Sequence, residues 1–152
     1  MATQEIVEVQ VVERIRETPR TISLVLQPLG KPLRYQAGQF LTLIFDQGEL
    51  GPKAVRRSYS FSTTPGVDPQ LTITIKKKSN GLVSRFLHSQ VEAGDVLRAL
   101  PPAGKFLLPK GEQPRDLFLI GGGSGITPLF SILKKALYSE PNTRVVLLYA
   151  NR

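Results

Sequence analysis

Between Gln4 and about Leu108, short runs of β-branched, aromatic and aliphatic residues alternate with clusters of glycine, proline, aspartate and asparagine. This pattern is typical of consecutive strands joined by turns. It predicts six strands, over residues 6–14, 21–27, 39–45, 56–62, 71–77 and 95–100. Six short strands at this spacing favour an antiparallel barrel.

One segment of this region has a different period. Leu82, Val83, Phe86 and Leu87 recur at helical spacing, which predicts a short helix over residues 82–88, between the fifth and sixth strands. Asn80 and Gly81 come directly before it and form a turn.

The pattern changes after residues 109–114, a polar stretch with proline and glycine that is typical of a linker. Residues 117–120 and 144–150 form apolar runs of the kind buried on both faces of a parallel sheet. Between them lie a glycine-rich turn and an amphipathic helix over residues 127–138, with Pro128 in its first turn. Strand, turn, helix and strand make one βαβ unit.

The predicted fold is therefore an all-β antiparallel six-stranded Greek-key barrel with one short helix, followed by a partial α/β Rossmann-like segment. We place the first domain at residues 1–110 and the second at residues 111–152. A two-stranded parallel unit cannot bury both of its faces alone. It is expected to dock on the barrel, to pair with another chain or to be poorly ordered, and the chain is expected to end inside its second domain.

Composition and charge narrow the possible functions. With 41% apolar and 21% charged residues the chain is globular. The absence of cysteine excludes disulfides and thiolate-held clusters, and His88 is the single histidine, expected at the surface or as a helix cap. No apolar run approaches the roughly 20 residues of a membrane span, and no secretory signal is found, so we expect a cytoplasmic protein. The net charge of +8 suits an anionic partner or a solvated basic surface.

Candidate chemistry begins on the fourth predicted strand. Alternation places Arg57, Tyr59 and Phe61 on one face and three serines on the other. An arginine matches a phosphate with a planar fork of donors, and a tyrosine ring can lie against a flat heteroaromatic group. The face can hold a nucleotide-like cofactor; the alternative is an ordinary surface strand.

Two further segments have features of anion sites. Gly81 opens the short helix, whose free amides attract a phosphate, and Ser84 adds a hydroxyl; the alternative is helix capping by Asn80 or Ser84. The glycine-rich turn at 121–128 joins a strand to a helix, where amides and the helix dipole meet an anion. It departs from Gly-x-Gly-x-x-Gly, which disfavours an ordinary Rossmann dehydrogenase. Its alternative is a tight turn that needs small residues.

These segments together resemble the ferredoxin-NADP reductase superfamily. Arg57, Tyr59, Ser60 and Thr63 match its Arg-x-Tyr-Ser-x-x-Ser/Thr signature. Four more blocks follow in the family's order, at residues 72–77, 81–87 (Gly-x-x-Ser-x-x-Leu), 102–106 (Pro-x-Gly-x-Phe) and 121–128. The resemblance covers nearly the whole chain.

The resemblance implies FAD as cofactor and NAD(P)H as substrate. Arg57 would bind the pyrophosphate, Tyr59 would stack on the isoalloxazine and Ser60 would lie near its N5 edge, which makes Tyr59 and Ser60 the candidate catalytic residues. Ser124 would lie beside the nicotinamide. Independently of the resemblance, residues 149–152 lack the acidic residue that would receive a ribose 2′-hydroxyl, so Arg152 is a candidate to face a 2′-phosphate; the alternative is a solvated arginine. The other implied cofactor-binding residues are Ser58, Thr74, Ile75, Lys76, Gly81, Leu82, Val83, Ser84, Gly122, Gly123, Gly125 and Thr127.

The implied function is the transfer of electrons from NAD(P)H through FAD to a one-electron acceptor, such as an iron-sulfur protein, a heme or an oxygenase component. The expected partner is a redox protein or domain, with no nucleic acid and no membrane. This chain is expected to hold FAD and to transfer hydride poorly. Two alternatives remain: a non-catalytic flavin module, and a basic barrel that binds single-stranded nucleic acid through Lys76, Lys77, Lys78 and Tyr59.

Overall fold

A computed structural model describes residues 5–111 and 113–151. Its first part contains six strands and one helix. These are β1 (Val7–Thr18), β2 (Thr21–Leu29), β3 (Phe40–Phe45), β4 (Val55–Ser60), β5 (Leu71–Lys76), α1 (Leu82–Ser89) and β6 (Val96–Ala103). The prediction of six strands with a short helix before the last is confirmed.

The strands form one antiparallel sheet in the order β4-β3-β6-β1-β2-β5. β4 and β5 are therefore its two edges, and an isolated bridge between Phe61 and Ile73 joins them just beyond the end of β4. The sheet curls until these edges meet, which confirms the antiparallel barrel. The barrel is left with a seam between β4 and β5.

Pairing partners, rather than local pattern, set the ends of several strands. β1 runs on to Thr18, because Thr18 pairs with Thr21 across a tight turn. β6 continues through two prolines, since Ala103 still pairs with Phe40. Both strands are longer than the sequence pattern predicts.

The barrel core consists of the side chains that point inward from both halves of the sheet. Its wholly buried members include Val9, Val11, Leu24, Leu41, Leu43, Phe61, Ile73 and Ile75. Helix α1 adds Val83 and Leu87 to the same core. Each such side chain contributes about 1.5–3 kcal/mol through burial.

The second part of the chain is the predicted βαβ unit. It consists of β7 (Arg115–Gly122), a 3₁₀ turn (Gly123–Gly125), α2 (Ile126–Ser139) and β8 (Thr143–Ala150). β7 and β8 are parallel, and Leu119 lies opposite Leu147. Neither helix found in the described ranges is long and apolar enough to cross a membrane.

Only one face of these two strands is covered, as expected for a two-stranded parallel unit, so the buried character predicted for residues 117–120 and 144–150 holds for one face alone. Helix α2 covers the face that carries Leu119, and Ala37 of the barrel joins the same cluster. On the other face Phe118 is 60% exposed, Ile120 73% and Leu148 55%. One helix covers only one face of a two-stranded unit, and the unit docks on the barrel through α2.

Candidate functional site

A cleft of 340 Å³ opens at the seam, where β4 and β5 separate. The barrel supplies residues 57–60, Thr74 and Lys76, and the start of α1 supplies residues 80–84. The βαβ unit closes the cleft with Ser124 and Thr127. The three segments singled out in the sequence therefore meet at one place.

The predicted alternation along β4 agrees with the strand pairing. Arg57 lies opposite Leu43 and Tyr59 opposite Leu41, and directly opposite residues point to the same face. Exposure decreases along this face, from an exposed Arg57 through a half-buried Tyr59 to Phe61 at 0%. The Arg57 Nη1 group donates to the Arg56 carbonyl at 2.7 Å, which orients the guanidinium.

Tyr59 presents an uncharged aromatic surface to the cleft. Burial raises the pKa of its phenol to about 12, and the positive charge of Arg57 partly opposes this shift. The hydroxyl therefore stays protonated at physiological pH. A neutral, partly buried ring is suited to contact with a flat heteroaromatic group.

The start of α1 offers free backbone amides to the cleft. Gly81 is the N-cap residue, and no side chain there accepts a hydrogen bond from the first turn. The first amides of a helix have no intrahelical partner. Leu82 and Val83 line the cleft together with Lys78, so amides and a cation lie at the same wall.

The Ser84 hydroxyl is engaged within the turn before the helix. Its Oγ accepts from the Lys78 amide at 3.1 Å and donates to the Gly81 carbonyl at 3.2 Å. A Cβ on Gly81 would lie 2.3 Å from this Oγ. The turn therefore leaves little room for a side chain at Gly81, and the Ser84 hydroxyl is engaged within it, without capping α1.

The glycine-rich wall contains glycines of two kinds. A Cβ on Gly121 would lie 2.4 Å from Leu129 Cδ1, and Gly123 has a φ of +53°. Both positions favour glycine, Gly121 through its packing against Leu129 and Gly123 through its backbone conformation. Around Gly122 and Gly125, by contrast, such a Cβ would meet no atom closer than 3.6 Å.

A second cleft, of 280 Å³, adjoins the first and shares Thr74, Lys76, Ser124 and Thr127 with it. Its other lining residues come from the β1–β2 turn, from Gly123 and Ile126, and from the end of β8. The Tyr149 hydroxyl donates to the Gly123 carbonyl at 2.8 Å, and Lys76 Nζ donates to Asn151 Oδ1 at 2.8 Å. The two clefts form one continuous surface along the glycine-rich wall.

Most residues predicted for the site line these clefts, but a few do not. The Ile75 side chain is wholly buried in the barrel core, and its carbonyl lies 3.3 Å from His88 Nε2. Gly122 and Gly125 line neither cleft. Arg152 is outside the described residues.

Sequence reasoning missed several lining residues. Lys78 and Asn80 line the first cleft, and Tyr149 and Asn151 line the second. The first pair flanks the turn at Gly81, so their position beside a helix start was a usable signal. The second pair reaches the site only through the pairing of β8 with β7.

His88 belongs to the support of the barrel and not to the cleft. It is half-buried, and burial is the main cause that lowers its pKa, with the charges of Lys77 and Arg14 acting in the same direction.

Among residues 5–111 and 113–151, no group of three or more His, Cys, Asp or Glu side chains is placed to hold a metal ion.

Comparison with known proteins agrees with this geometry. Residues 7–107 match the oxidoreductase FAD-binding domain family, and residues 119–152 match the oxidoreductase NAD-binding domain family. The chain is 41% identical over 153 residues to the ferredoxin reductase component of 3-ketosteroid-9-alpha-monooxygenase from Mycolicibacterium smegmatis, an alignment that covers 97% of this chain and 42% of that protein. It is 36% identical over 147 residues to a flavohemoprotein from Oceanobacillus iheyensis, covering 93% of this chain and 36% of that one.

Solved structures show the same fold. The FAD/NAD-binding domain of nitric oxide dioxygenase from Vibrio cholerae superposes with a TM-score of 0.81 at 30% identity, over 96% of this chain and 62% of that one. An Amycolatopsis cytochrome P450 reductase gives a TM-score of 0.84 at 28% identity, over 97% of this chain and 44% of that one.

The chain spans only 42% of the length of the reductase component from Mycolicibacterium. It belongs to the ferredoxin-NADP reductase superfamily, of which it carries the FAD-binding domain and a strand–helix–strand part of the NAD-binding domain.

Proposed function

We propose that the chain binds FAD in the cleft at the seam and serves a reductase that passes electrons from NAD(P)H through FAD to a one-electron acceptor. The observation that carries this proposal is the meeting of three segments in one cleft: Arg57 to Ser60, the start of α1, and the glycine-rich wall. Reductase components and flavohemoproteins among the relatives support it. The acceptor is an iron-sulfur protein, a heme or an oxygenase component.

The residues present fit a flavin dinucleotide. Arg57 and Lys78 bring positive charge to the cleft, and the free amides at Leu82 and Val83 add donors. Together they suit a pyrophosphate. When bound, the flavin supplies hydride acceptance and single-electron transfer.

The protein's own contribution is orientation. Tyr59 would cover one face of the flavin ring with a neutral aromatic surface, and the Ser60 hydroxyl follows it along the strand. Ser124 and Thr127 form the opposite wall, which would hold the nicotinamide of NAD(P)H. The Thr127 hydroxyl donates to the Ser124 carbonyl at 3.0 Å and stiffens that wall. We assign Tyr59 and Ser60 the catalytic contacts.

The division into an FAD-binding domain at residues 1–110 and an NAD(P)-binding part at residues 111–152 belongs to the same proposal. Its support is the change from antiparallel to parallel pairing between β6 and β7. A cytoplasmic location is proposed with it, because a reductase that consumes NAD(P)H works where the reduced nucleotide is held.

Reconstitution with flavin tests the proposal directly. The purified chain is mixed with excess FAD, desalted, and its absorption spectrum recorded; the cofactor released by heat is identified by mass. We expect a yellow protein with one FAD per chain. A chain that stays colourless and leaves flavin fluorescence unquenched in a titration contradicts the proposal, and a preference for FMN contradicts the pyrophosphate assignment.

A further inference from the structure

Two buried hydroxyl groups tie the barrel directly to α2. Thr64 and Ser131 are both 0% exposed. Thr64 Oγ1 donates to the Ser131 carbonyl at 2.9 Å, and Ser131 Oγ donates back to the Thr63 carbonyl at 2.7 Å. We refer to Thr64 and Ser131 as the hydroxyl bridge.

Each end of the bridge lies close to a wall of the cleft. Thr64 follows Ser60, the last cleft residue of β4, by four positions. Ser131 follows Thr127 by four positions in α2, which is about one helical turn, or roughly 6 Å along the axis. The bridge therefore connects the flavin side of the cleft to its glycine-rich wall through two short segments.

Neighbouring contacts hold the bridge in place. Asp68 accepts the Thr64 amide at 2.7 Å and forms an ion pair with Lys134, one turn beyond Ser131. The Tyr35 hydroxyl lies 3.0 Å from Thr63 Oγ1. Residues 63–68 therefore form the surface of the barrel against which the middle of α2 packs.

Apolar contacts between α2 and the barrel determine the position of the helix less closely than these hydrogen bonds do. Ile132 and Ala37 belong to one cluster, and contacts between such side chains are non-directional. Hydrogen bonds require defined distances and angles. The paired hydroxyls therefore restrict both the rotation of α2 and its displacement along the barrel.

We infer that Ser131 is a positioning residue that sets the glycine-rich wall, residues 121–127, at its distance from the barrel side of the cleft. The inference deepens the proposed function and rests on it, since the distance matters for hydride transfer between nicotinamide and flavin. A misplacement of about 1 Å in such a site can cost on the order of 100-fold in rate. Thr64 acts through Ser131 in the same way.

Single substitutions separate the hydrogen bonds from packing. Thr64→Val keeps the shape and removes the donor, whereas Thr64→Ser keeps the donor. Ser131→Ala removes the hydroxyl on the helix. Ser139→Ala is the matched control, because this exposed serine on the same helix donates only to the Lys135 carbonyl, at 2.7 Å, within α2.

The readouts do not require cofactor. The chain has no cysteine, so Glu13→Cys and Tyr138→Cys, at exposed sites on β1 and α2, accept one spin label each. The label-to-label distance distribution reports the position of α2 on the barrel, and amide hydrogen exchange reports residues 121–127. FAD affinity is measured separately by fluorescence titration.

For Ser131→Ala and Thr64→Val we expect a broader or shifted distance distribution. We also expect amide exchange at 121–127 to be faster by roughly 2- to 10-fold, as the loss of one hydrogen bond allows. Thr64→Ser and Ser139→Ala should match the parent chain in both measurements.

The inference is overturned if Thr64→Val melts earlier yet keeps the parent distance distribution and exchange rates, or if Thr64→Ser behaves like Thr64→Val. Should Ser131→Ala fail to fold, the two Thr64 variants decide the question. Failure of the parent chain to bind FAD is a separate result: it contradicts the proposed function and leaves the distance and exchange measurements to be read on their own.

Discussion

Two glycines of the same loop should respond in opposite ways to replacement by alanine. The Cβ of alanine at position 121 would lie 2.4 Å from Leu129 Cδ1. Leu129 of α2 is 4% exposed and belongs to one cluster with Leu119 of β7 and Ala37 of the barrel, so it has little room to move. Gly125 has φ −63° and ψ −13°, an ordinary helical conformation, and no atom lies within 4 Å of its added Cβ.

The expected magnitudes follow from these contacts. Overpacking a core costs about 1–3 kcal/mol, and about 2–4 °C of Tm is lost per kcal/mol in a chain of this size. Gly121→Ala should therefore lower Tm by roughly 2–12 °C. Gly125→Ala should raise Tm by about 1–4 °C, because alanine reduces the conformational freedom of the unfolded chain by about 0.4–1 kcal/mol.

Thermal unfolding of the cofactor-free chain, followed by circular dichroism, measures both variants. Leu129→Val removes the atom that clashes, so Gly121→Ala should cost less in a Leu129→Val background than in the parent chain, by a double-mutant cycle. A Gly121→Ala variant as stable as the parent chain would refute the packing argument, as would an unchanged cost in the Leu129→Val background. If Gly125→Ala keeps its stability and loses NAD(P)H affinity, the role of that glycine lies in ligand approach.

Three other measurements follow from the site. Arg57→Lys should weaken FAD binding by about 10-fold or more, since lysine keeps the charge but lacks the planar fork of donors. Arg16→Lys, at an exposed position on β1, is the control and should leave the affinity unchanged. Equal losses in both variants would contradict a pyrophosphate contact. Tyr59→Phe should remove from the alkaline absorbance titration the phenol that ionises at about pH 12; a lost transition near pH 10 would disagree with its burial. His88 has a lowered pKa, so the folded state resists its protonation. The free energy of unfolding should fall as the pH drops through about 6.5 toward that folded pKa. Urea unfolding of His88→Gln should show a smaller fall over this range, and above pH 7 neither protein should owe any pH dependence to position 88.

Much of the site was predictable from local pattern. Alternation along β4 correctly placed Arg57 and Tyr59 on one face, because side chains in a strand alternate regardless of its partners. Helical spacing located α1 and α2 for a similar reason. The order of motifs identified the superfamily before any contact was known.

Other features depended on which segments meet. The cleft exists because β4 and β5 are the two edges of one sheet and separate beyond the bridge at Phe61. No local period encodes strand order. The role of Ser84 also depends on tertiary structure. In the structure its hydroxyl bonds within the turn before α1, whereas the sequence is equally consistent with a hydroxyl that donates to a phosphate.

The sequence by itself determined the elements, their faces and the family, since these depend on residue spacing within about one turn or one strand. Tertiary structure decided which face of β7 and β8 is covered, where the seam opens and how α2 is positioned on the barrel. The hydroxyl bridge illustrates the difference, because Thr64 and Ser131 are 67 residues apart in the chain. Their hydrogen bonds form only when the barrel and the βαβ unit pack together. The width of the cleft therefore depends on tertiary packing and cannot be derived from residue spacing in the sequence.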